Sequence, residues 1–555
     1  MLNQLEVQVK NAENAVIIKD PENLLENWKH RHCTGGGCRN LFSPEIAALL
    51  PLKPVEHDNR LEKQDRSSTT TDPPTLDEIY KVADKINAGE VGLAQLLVEK
   101  HRDKLRYDIR ERDWYGLGPH SWKRVSDARP LECFEELADR FRLYALMIAQ
   151  KKIEFAGKDK SVADKYKALE KIFLGALKVL GDVSRRSEIL RLCRSEGSYL
   201  GFDGPWDEDP YRIATPNGVL NLGNLSFGDG SPEDNIRTAT STLWEGIDAP
   251  CFLFEKTILE IFDGNQEIVD YLQCVFGYGI SGLTKYHHLW IFEGRGRNGK
   301  TLLYKILKYV LGDLVGLLDR ELLLDKKHPR QSGAATPDIM SLRGKRMAFL
   351  VETSEGRKFD PGKLKVLTGG DLLHARGLYA KDYSDFPNTT KIFVLTNSRP
   401  HISGGDYASW QRILLVPFAL SFVPEPSRDP NRKEKLADPD LEEKLKAEAS
   451  GILAWLVRGY VRSTANFNPP NCIQEATVEY KKEEDLVGRF IEEKIERYIG
   501  NFLPAGECYS SFKVWCEAQD IHPKHNSVFS REMKGVFETI KRGNNAFYVN
   551  VKVKG

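Results

Sequence analysis

No apolar run in the 555 residues approaches the roughly 18–20 that a membrane-spanning helix requires. Met1 to Lys10 has no apolar core, so no export signal is expected. The nine cysteines lack the spacing of a disulfide framework, which fits a reducing compartment. Neither charge is in excess: 80 basic side chains meet 80 acidic ones. That balance argues against a surface coated in nucleic acid, although a groove or ring needs only a local basic lining. Internal repeats are absent. The one biased tract, residues 56–76, is polar and rich in Ser, Thr and Pro, and reads as a linker. What remains is a globular composition long enough for three or four domains.

Along the chain, Leu93, Leu96 and Leu97 share one face of a helix. Leu105 to Val125, with Trp114, Tyr115 and Trp122, reads as strand-rich, and residues 131–200 as helical. Gly201 to Pro210 and Thr215-Pro-Asn-Gly218 carry turn chemistry around short strands. From about 250 to 420, buried strands alternate with helices, the pattern of an α/β core. One helix is expected from about Asp440 to Val461, Pro469-Pro470 breaks the chain, and the last 85 residues read as a small domain.

The most informative segment is Gly294-Arg295-Gly296-Arg297-Asn298-Gly299-Lys300-Thr301. An apolar run, Leu289 to Phe292, precedes it. Leu302, Leu303, Ile306, Leu307 and Val310 follow as one helical stripe ending near Gly312. Strand, Gly-rich loop and helix in that order form a phosphate loop. Glycines let backbone N–H groups turn towards phosphates, and the helix N-terminus adds partial positive charge. Lys300 would reach the phosphates of ATP and the Thr301 hydroxyl would bind Mg²⁺. A second strand, Arg346 to Val351, leads to Glu352, with Glu355 just beyond. A carboxylate there can hold the metal or polarise water. Many P-loop ATPases place two adjacent acids here; Glu352-Thr353 leaves the division of roles open. A third strand, Lys391 to Thr396, ends at Asn397, which can touch a γ-phosphate or simply form a turn before Ser398-Arg399-Pro400.

Between the second and third strands lie Lys363-Leu-Lys365-Val-Leu-Thr-Gly-Gly-Asp371, Ala375-Arg376-Gly-Leu-Tyr379 and Phe386-Pro387. Trp410-Gln-Arg412-Ile-Leu-Leu-Val-Pro-Phe418 follows the third strand. In this order the set resembles superfamily 3 helicases of phages, plasmids and poxviruses, specifically the helicase part of phage/plasmid primase–helicases. The resemblance covers roughly residues 90–555. It implies an α/β P-loop (AAA+-like) ATPase core, a mixed α+β accessory domain before it and a small winged-helix domain after it. The expected divisions are 1–90 unassigned, 91–248 accessory, 249–470 ATPase and 471–555 winged helix. It also implies a hexameric ring that moves on single-stranded or forked DNA, with ATP between subunits and Mg²⁺ beside it. Arg412 matches the arginine finger that reaches a neighbour's ATP; many relatives carry two arginines where this chain has Gln411-Arg412. The segment from Leu372 to Pro387 matches a channel hairpin, in which Arg376, Tyr379 and Lys381 would contact DNA. The setting implied is the cytoplasm of a bacterial host carrying a phage, prophage or plasmid. An origin-binding initiator or a defence-type ATPase is the alternative.

Other signals are weaker. His30, His32, Cys33 and Cys38 surround Gly35-Gly-Gly37, but no second pair follows, so a flexible loop is the default over a zinc site. Lys513, Lys524, Arg531, Lys534, Lys541 and Arg542 intersperse with apolar residues near the C-terminus, and Gly543-Asn544-Asn545 precedes a strand-like run, together suggesting a DNA-binding domain with a hairpin wing. Asp207-Glu-Asp209 and Asp438-Pro-Asp440 sit in turns rather than in a two-metal polymerase site. Primer synthesis is therefore assigned to a separate primase. The purified chain should make no primers on a single-stranded template, and primers made by it unaided would overturn that expectation.

Overall fold

The computed structural model describes residues 74–195, 200–325, 334–351, 357–378, 382–402 and 406–554. They divide into two compact units: residues 74–118 with 123–204, and residues 119–122 with 205–554.

The first unit is mainly helical. Its helices are Leu76–Asn87, Glu90–His101, Ala128–Phe155, Lys160–Gly181 and Val183–Cys193. Side chains of Thr75, Asp159 and Asp182 accept first-turn N–H groups of three of them, satisfying donors that a helix start leaves open. Leu93, Leu96 and Leu97 are buried, as their spacing predicts, in a core with Trp114, Phe134, Phe141 and Phe173. A small sheet joins β1 (Leu105–Asp108), β2 (Asp113–Leu117), β3 (Trp122–Val125) and β4 (Gly201–Phe202) in the order β3-β2-β1-β4.

The second unit opens with β5 (Arg212–Thr215), β6 (Gly218–Asn221) and β7 (Phe227–Gly228), paired antiparallel in sequence order; the Thr215-Pro-Asn-Gly218 turn joins the first two. Its centre is a five-stranded parallel sheet of β8 (Leu289–Glu293), β9 (Val315–Leu317), β10 (Met347–Val351), β13 (Lys391–Thr396) and β14 (Ile413–Pro417), in the order β14-β8-β13-β10-β9. The hairpin β11 (Leu372–Ala375) and β12 (Ser384–Pro387) lies between β10 and β13 in sequence. A short parallel pair, β15 (Ser421–Val423) and β16 (Glu434–Leu436), follows. The last segment holds the helix Leu486–Lys494, β17 (Ile495–Pro504), the helices Ala505–Glu517 and Asn526–Val536, β18 (Thr539–Arg542) and β19 (Asn545–Val553), with sheet order β17-β19-β18. Gly543, at φ 60°, makes the tight turn between β18 and β19.

The parallel sheet is covered on both faces, which is why its strands read as continuous apolar runs. Alternate residues divide cleanly. Trp290, Phe292, Phe349 and Phe393 join one core, and Leu289, Ile291, Ala348, Leu350, Ile392 and Val394 join another. In the first, the rings of Trp290, Phe393 and Phe349 stack across three strands at 5.2 and 4.9 Å between centroids. The helices Gln266–Ile280 and Ala449–Ala465 supply much of that core and cross closely. At the crossing, a Cβ on Gly277 would collide with the backbone of Gly459 and Tyr460, and one on Gly459 with the Gln273 carbonyl.

One expectation is corrected. The single helix from about Asp440 to Val461 is two helices, Leu441–Lys446 and Ala449–Ala465. Between them, Glu448 turns its carboxylate onto the N–H groups of Leu253 and Phe254, at 3.0 and 2.9 Å. Those groups start the helix Phe252–Ile261, whose own N-cap, Cys251, makes no side-chain cap. A long-range cap therefore fixes the break, and helical periodicity carries no trace of it.

Gly277→Ala and Gly459→Ala should each destabilise this unit by about 1–3 kcal/mol, the usual cost of overpacking. Gly506→Ala, in a helix where an added Cβ meets nothing within 4 Å, should be neutral or slightly stabilising. Thermal melting midpoints of the three variants check this; equal melting of all three would mean that the helices do not cross so closely.

Candidate phosphate-binding site

Strand order sets the location. β8 lies between β13 and β14, and the chain leaving it runs to the far edge at β9 before returning. In such a sheet, the crevice at the carboxyl ends of the strands where connections diverge is the usual ligand position. Glu293 pairs with both Thr396 and Pro417, so three strands end level there. Gly294, Asn397 and Phe418 therefore leave the sheet side by side.

The loop after β8 is held in left-handed conformations: Gly296 at φ 106°, Arg297 at 50° and Gly299 at 86°. Arg297 is the only non-glycine of the three, and its carbonyl is fixed by the N–H of Phe422 at 2.6 Å. Gly294 has no room for a side chain, since a Cβ would press on the Asn298 amide and the Phe418 carbonyl. Asn298 is buried and its Nδ2 donates to that carbonyl at 3.4 Å. The helix Lys300–Leu311 then begins with Gly299 as N-cap and no side chain capping it. Its positive end and first-turn N–H groups face the loop.

Lys300 is buried, and its Nζ donates to the Gly294 carbonyl at 2.7 Å, Asn298 Oδ1 at 3.0 Å and Asn397 Oδ1 at 3.3 Å. Residues 97 apart in sequence thus meet at one ammonium. All three acceptors are neutral. Burial pushes the Lys300 pKa down from 10.5 to about 8, with Glu293 pulling the other way. Glu293 is itself engaged: Arg399 Nε meets its carboxylate at 3.0 Å, while another guanidinium nitrogen meets Glu483 at 2.5 Å. Thr301, in the first helical turn, is exposed, as are Arg295 and Arg297. This collection of inward-turned backbone, helix start and uncompensated ammonium is suited to a polyphosphate.

The other expected residues that are described, Arg376 and Arg412, have different partners. Glu352 and Glu355 lie outside the described residues, although β10 ends at Val351, beside Leu395 of β13. Arg412 sits at the other end of the sheet. Its carbonyl accepts from the Leu289 N–H at 2.7 Å, at the start of β8. A five-residue strand separates it from the phosphate loop, about 16 Å at ~3.3 Å per residue. Its Nε is buried with no hydrogen-bond partner. Arg376 belongs to the hairpin, where its N–H and carbonyl bond Thr336 and its guanidinium lies 5.6 Å from the centre of the Tyr383 ring. Tyr383 stacks on His374, which bonds Asp385. Tyr379 and Lys381 lie outside the described residues, as do His30, His32, Cys33 and Cys38. Lys363 is taken by the Leu324 carbonyl, Lys365 by Asp406 and Lys524 by Glu532. The Glu293–Arg399 pair went unnoticed in the sequence; the available signal was an acid ending one strand and a base three residues past the end of its neighbour.

Residues 94–263 match the family model described as D5 N terminal like, and residues 482–555 match the one described as Poxvirus D5 protein-like. The putative helicase L207/L206 of Acanthamoeba polyphaga mimivirus is 26% identical over 454 residues, 78% of this chain and 46% of that protein. The putative helicase 022R of Frog virus 3 is 30% identical over 239 residues, 42% of this chain and 24% of that protein. The putative primase C962R of African swine fever virus (isolate Tick/Malawi) is 23% identical over 365 residues, 60% of this chain and 36% of that protein. The chain thus spans less than half the length of each of these relatives. Among solved structures, the apo C-terminal region of NrS-1 covers 81% of this chain and 96% of its own, at 11% identity and a TM-score of 0.41.

The lowered pKa of Lys300 has two consequences of definite sign. Between about 8 and 10.5 the unfolded chain binds the proton that the fold refuses, so this group adds stability as pH rises through that window. Affinity for a polyphosphate moves the opposite way, because the ammonium must be charged to hold it. Binding of a fluorescent ATP analogue should weaken above pH 8, by up to about tenfold per pH unit. Lys300→Arg, which stays charged, should flatten that profile; an unchanged profile in the arginine variant would mean another group is titrating.

Proposed function

We propose that this chain, which belongs to the poxvirus D5-like primase–helicase family, is an ATP-driven DNA helicase of superfamily 3 type acting in replication of a viral or related mobile genome. The observation that carries the reading is the Lys300 ammonium, held by Gly294, Asn298 and Asn397 at the level ends of three parallel strands. The five-stranded sheet then serves as a P-loop ATPase core.

In this reading the triphosphate of ATP lies along residues 294–301. Backbone N–H groups of the loop take its oxygens, and Lys300 exchanges three neutral acceptors for phosphate oxygens. Thr301 and Glu352 would hold Mg²⁺, which would offset phosphate charge when bound. Glu352 polarises the attacking water. Asn397, within reach of Lys300 before nucleotide arrives, senses the γ-phosphate and passes its presence into β13.

Arg412 supports a ring. About 16 Å from the loop of its own chain, it is too far to touch its own γ-phosphate, but a guanidinium at that edge suits a neighbour's site. The hairpin β11–β12, with Arg376, Tyr379 and Lys381, faces single-stranded DNA in the channel, and residues 471–555 form the winged-helix domain. The assembly is a homohexamer. No described helix is long and apolar enough to cross a membrane.

Strand displacement on a fluorescent forked DNA tests the reading. With ATP and Mg²⁺ the chain should separate strands. Lys300→Ala should abolish this, and Arg412→Ala should bind ATP but hydrolyse it at least ~100-fold more slowly. Mixing the two inactive variants should restore part of the ATPase, because an intact loop in one subunit meets an intact arginine in the next. No recovery would remove the trans assignment of Arg412. Hydrolysis without strand separation by the unaltered chain would replace the helicase with an initiator or sensing ATPase.

A further inference from the structure

The C-terminal sheet has a second face that the core does not use. In antiparallel pairing, directly opposed residues point to the same side. Leu503 opposes Tyr548, and both are buried in the core beneath. One step along, Phe502 opposes Val549, and Ile540 opposes Phe547. Those four therefore point the other way, and all are only partly covered. Arg542 lies over the Phe502 ring at 4.0 Å from its centre, so a planar guanidinium is pinned on that outward apolar strip.

Beside the strip, the edge strand β17 bulges. Its register jumps from Arg497 opposite Val551 to Phe502 opposite Val549, leaving four residues facing Asn550 alone. Gly500 at φ 86° and Asn550 at 59° shape the bulge. Two side chains pin it: Asn550 Oδ1 accepts from the Gly500 N–H at 2.8 Å, and Asn501 Nδ2 donates to the Val551 carbonyl at 2.6 Å. The fixed tip carries Tyr498, 55% exposed, and Ile499, 91% exposed. Bulges of this kind re-aim side chains.

Charge on the sheet is one-sided. β17, β18 and β19 carry Arg497, Lys541, Arg542 and Lys552 against Glu496 alone. Glu496 is taken by Lys552 at 2.9 Å, and Lys552 also lies 4.4 Å from the centre of the Tyr498 ring. Among the described residues Arg542 has no ion-pair partner, while Arg497 and Lys541, opposite Val551 and Ala546, point to the other side of the sheet.

We propose that this outward face of β17, β18 and β19 is a stacking surface for single-stranded DNA, with Tyr498 and the Arg542 plane as the base contacts and Lys552, which lies over the Tyr498 ring, on a phosphate. Stacking on aromatic rings and guanidinium planes requires unpaired bases, whose faces a duplex covers. A protein partner would have to bury the Arg542 guanidinium, which brings no counter-charge, a costly desolvation, whereas a phosphate backbone supplies that charge. The inference rests on the reading of the chain as a DNA-acting protein. It locates contact on the sheet and its bulge.

Anisotropy of a fluorescein-labelled oligothymidylate of about twenty nucleotides, with the full chain and no nucleotide, measures the contact. Tyr498 and Arg542 are exposed, so their replacement leaves the core intact. The double variant Tyr498→Ser, Arg542→Glu should bind about tenfold more weakly, with a salt dependence shallower by about one ion. Arg542→Lys, which keeps the charge and loses the plane, should fall between. A matched duplex should respond less than the single strand. If the unaltered chain binds the oligonucleotide and the double variant binds it equally well, this proposal is wrong while the helicase reading stands, and the apolar strip becomes a protein contact. If the unaltered chain binds no DNA at all, both readings fall together.

Discussion

A positive charge held out of water without a carboxylate is the constraint around which the centre of this protein is arranged. The Lys300 ammonium has lost most of its hydration, and the fold returns three neutral oxygens in exchange. Burial without a counter-ion lowers its pKa, which is a cost to the unliganded fold and a gain for any anion that arrives. Each surrounding feature serves that condition. The glycine at 294 lets the chain pass within reach of Asn298 and Phe418, β13 delivers Asn397, and Arg399 holds Glu293 away from the ammonium. Relaxing any of these would let a carboxylate or water neutralise the site.

The amino ends of the same strands show the contrast. Lys391 and Arg346 are also buried, yet their donors go to backbone carbonyls of turns: Ser281, Leu283 and Thr389 for the lysine, Asp209 and Pro210 for the arginine. Burial pushes the Lys391 pKa well below its ordinary value. These cations tie strand starts to neighbouring turns, and they are enclosed. Lys300 lies where three strands end and a helix begins, so its surroundings can be exchanged for a ligand. The difference is topological: connections diverge at the carboxyl ends of β8 and β13.

Rigidity comes from the layer behind the loop. Trp290, Phe349 and Phe393 stack across the sheet, and the helices over them approach closely enough that only glycine fits at positions 277 and 459. A change at the carboxyl end of β13 would therefore be felt along the strand rather than absorbed locally. The hairpin between β10 and β13 is anchored on the other face of the sheet, where Leu373 and Phe386 join the core of Leu350 and Val394.

Local chemistry, by itself, determined a good deal. Apolar alternation and glycine placement are nearest-neighbour properties, so the strand–loop–helix around residues 289–311, the strand 391–396 and the β18–β19 turn were all legible in the sequence. So was the position of Lys300, the first residue of the helix after the glycine-rich loop. Tertiary structure alone decided the rest. It set the strand order that brings Asn397 to Lys300, gave Glu293 to Arg399 and put Arg412 at the amino ends of the strands, opposite the loop. It also divided the 440–461 helix at Glu448 and turned Phe502 and Arg542 outward together. The physical reason is common to all of these. Each depends on which distant segments pair, and pairing is chosen by the burial of whole faces rather than by the residues on either side of a given position.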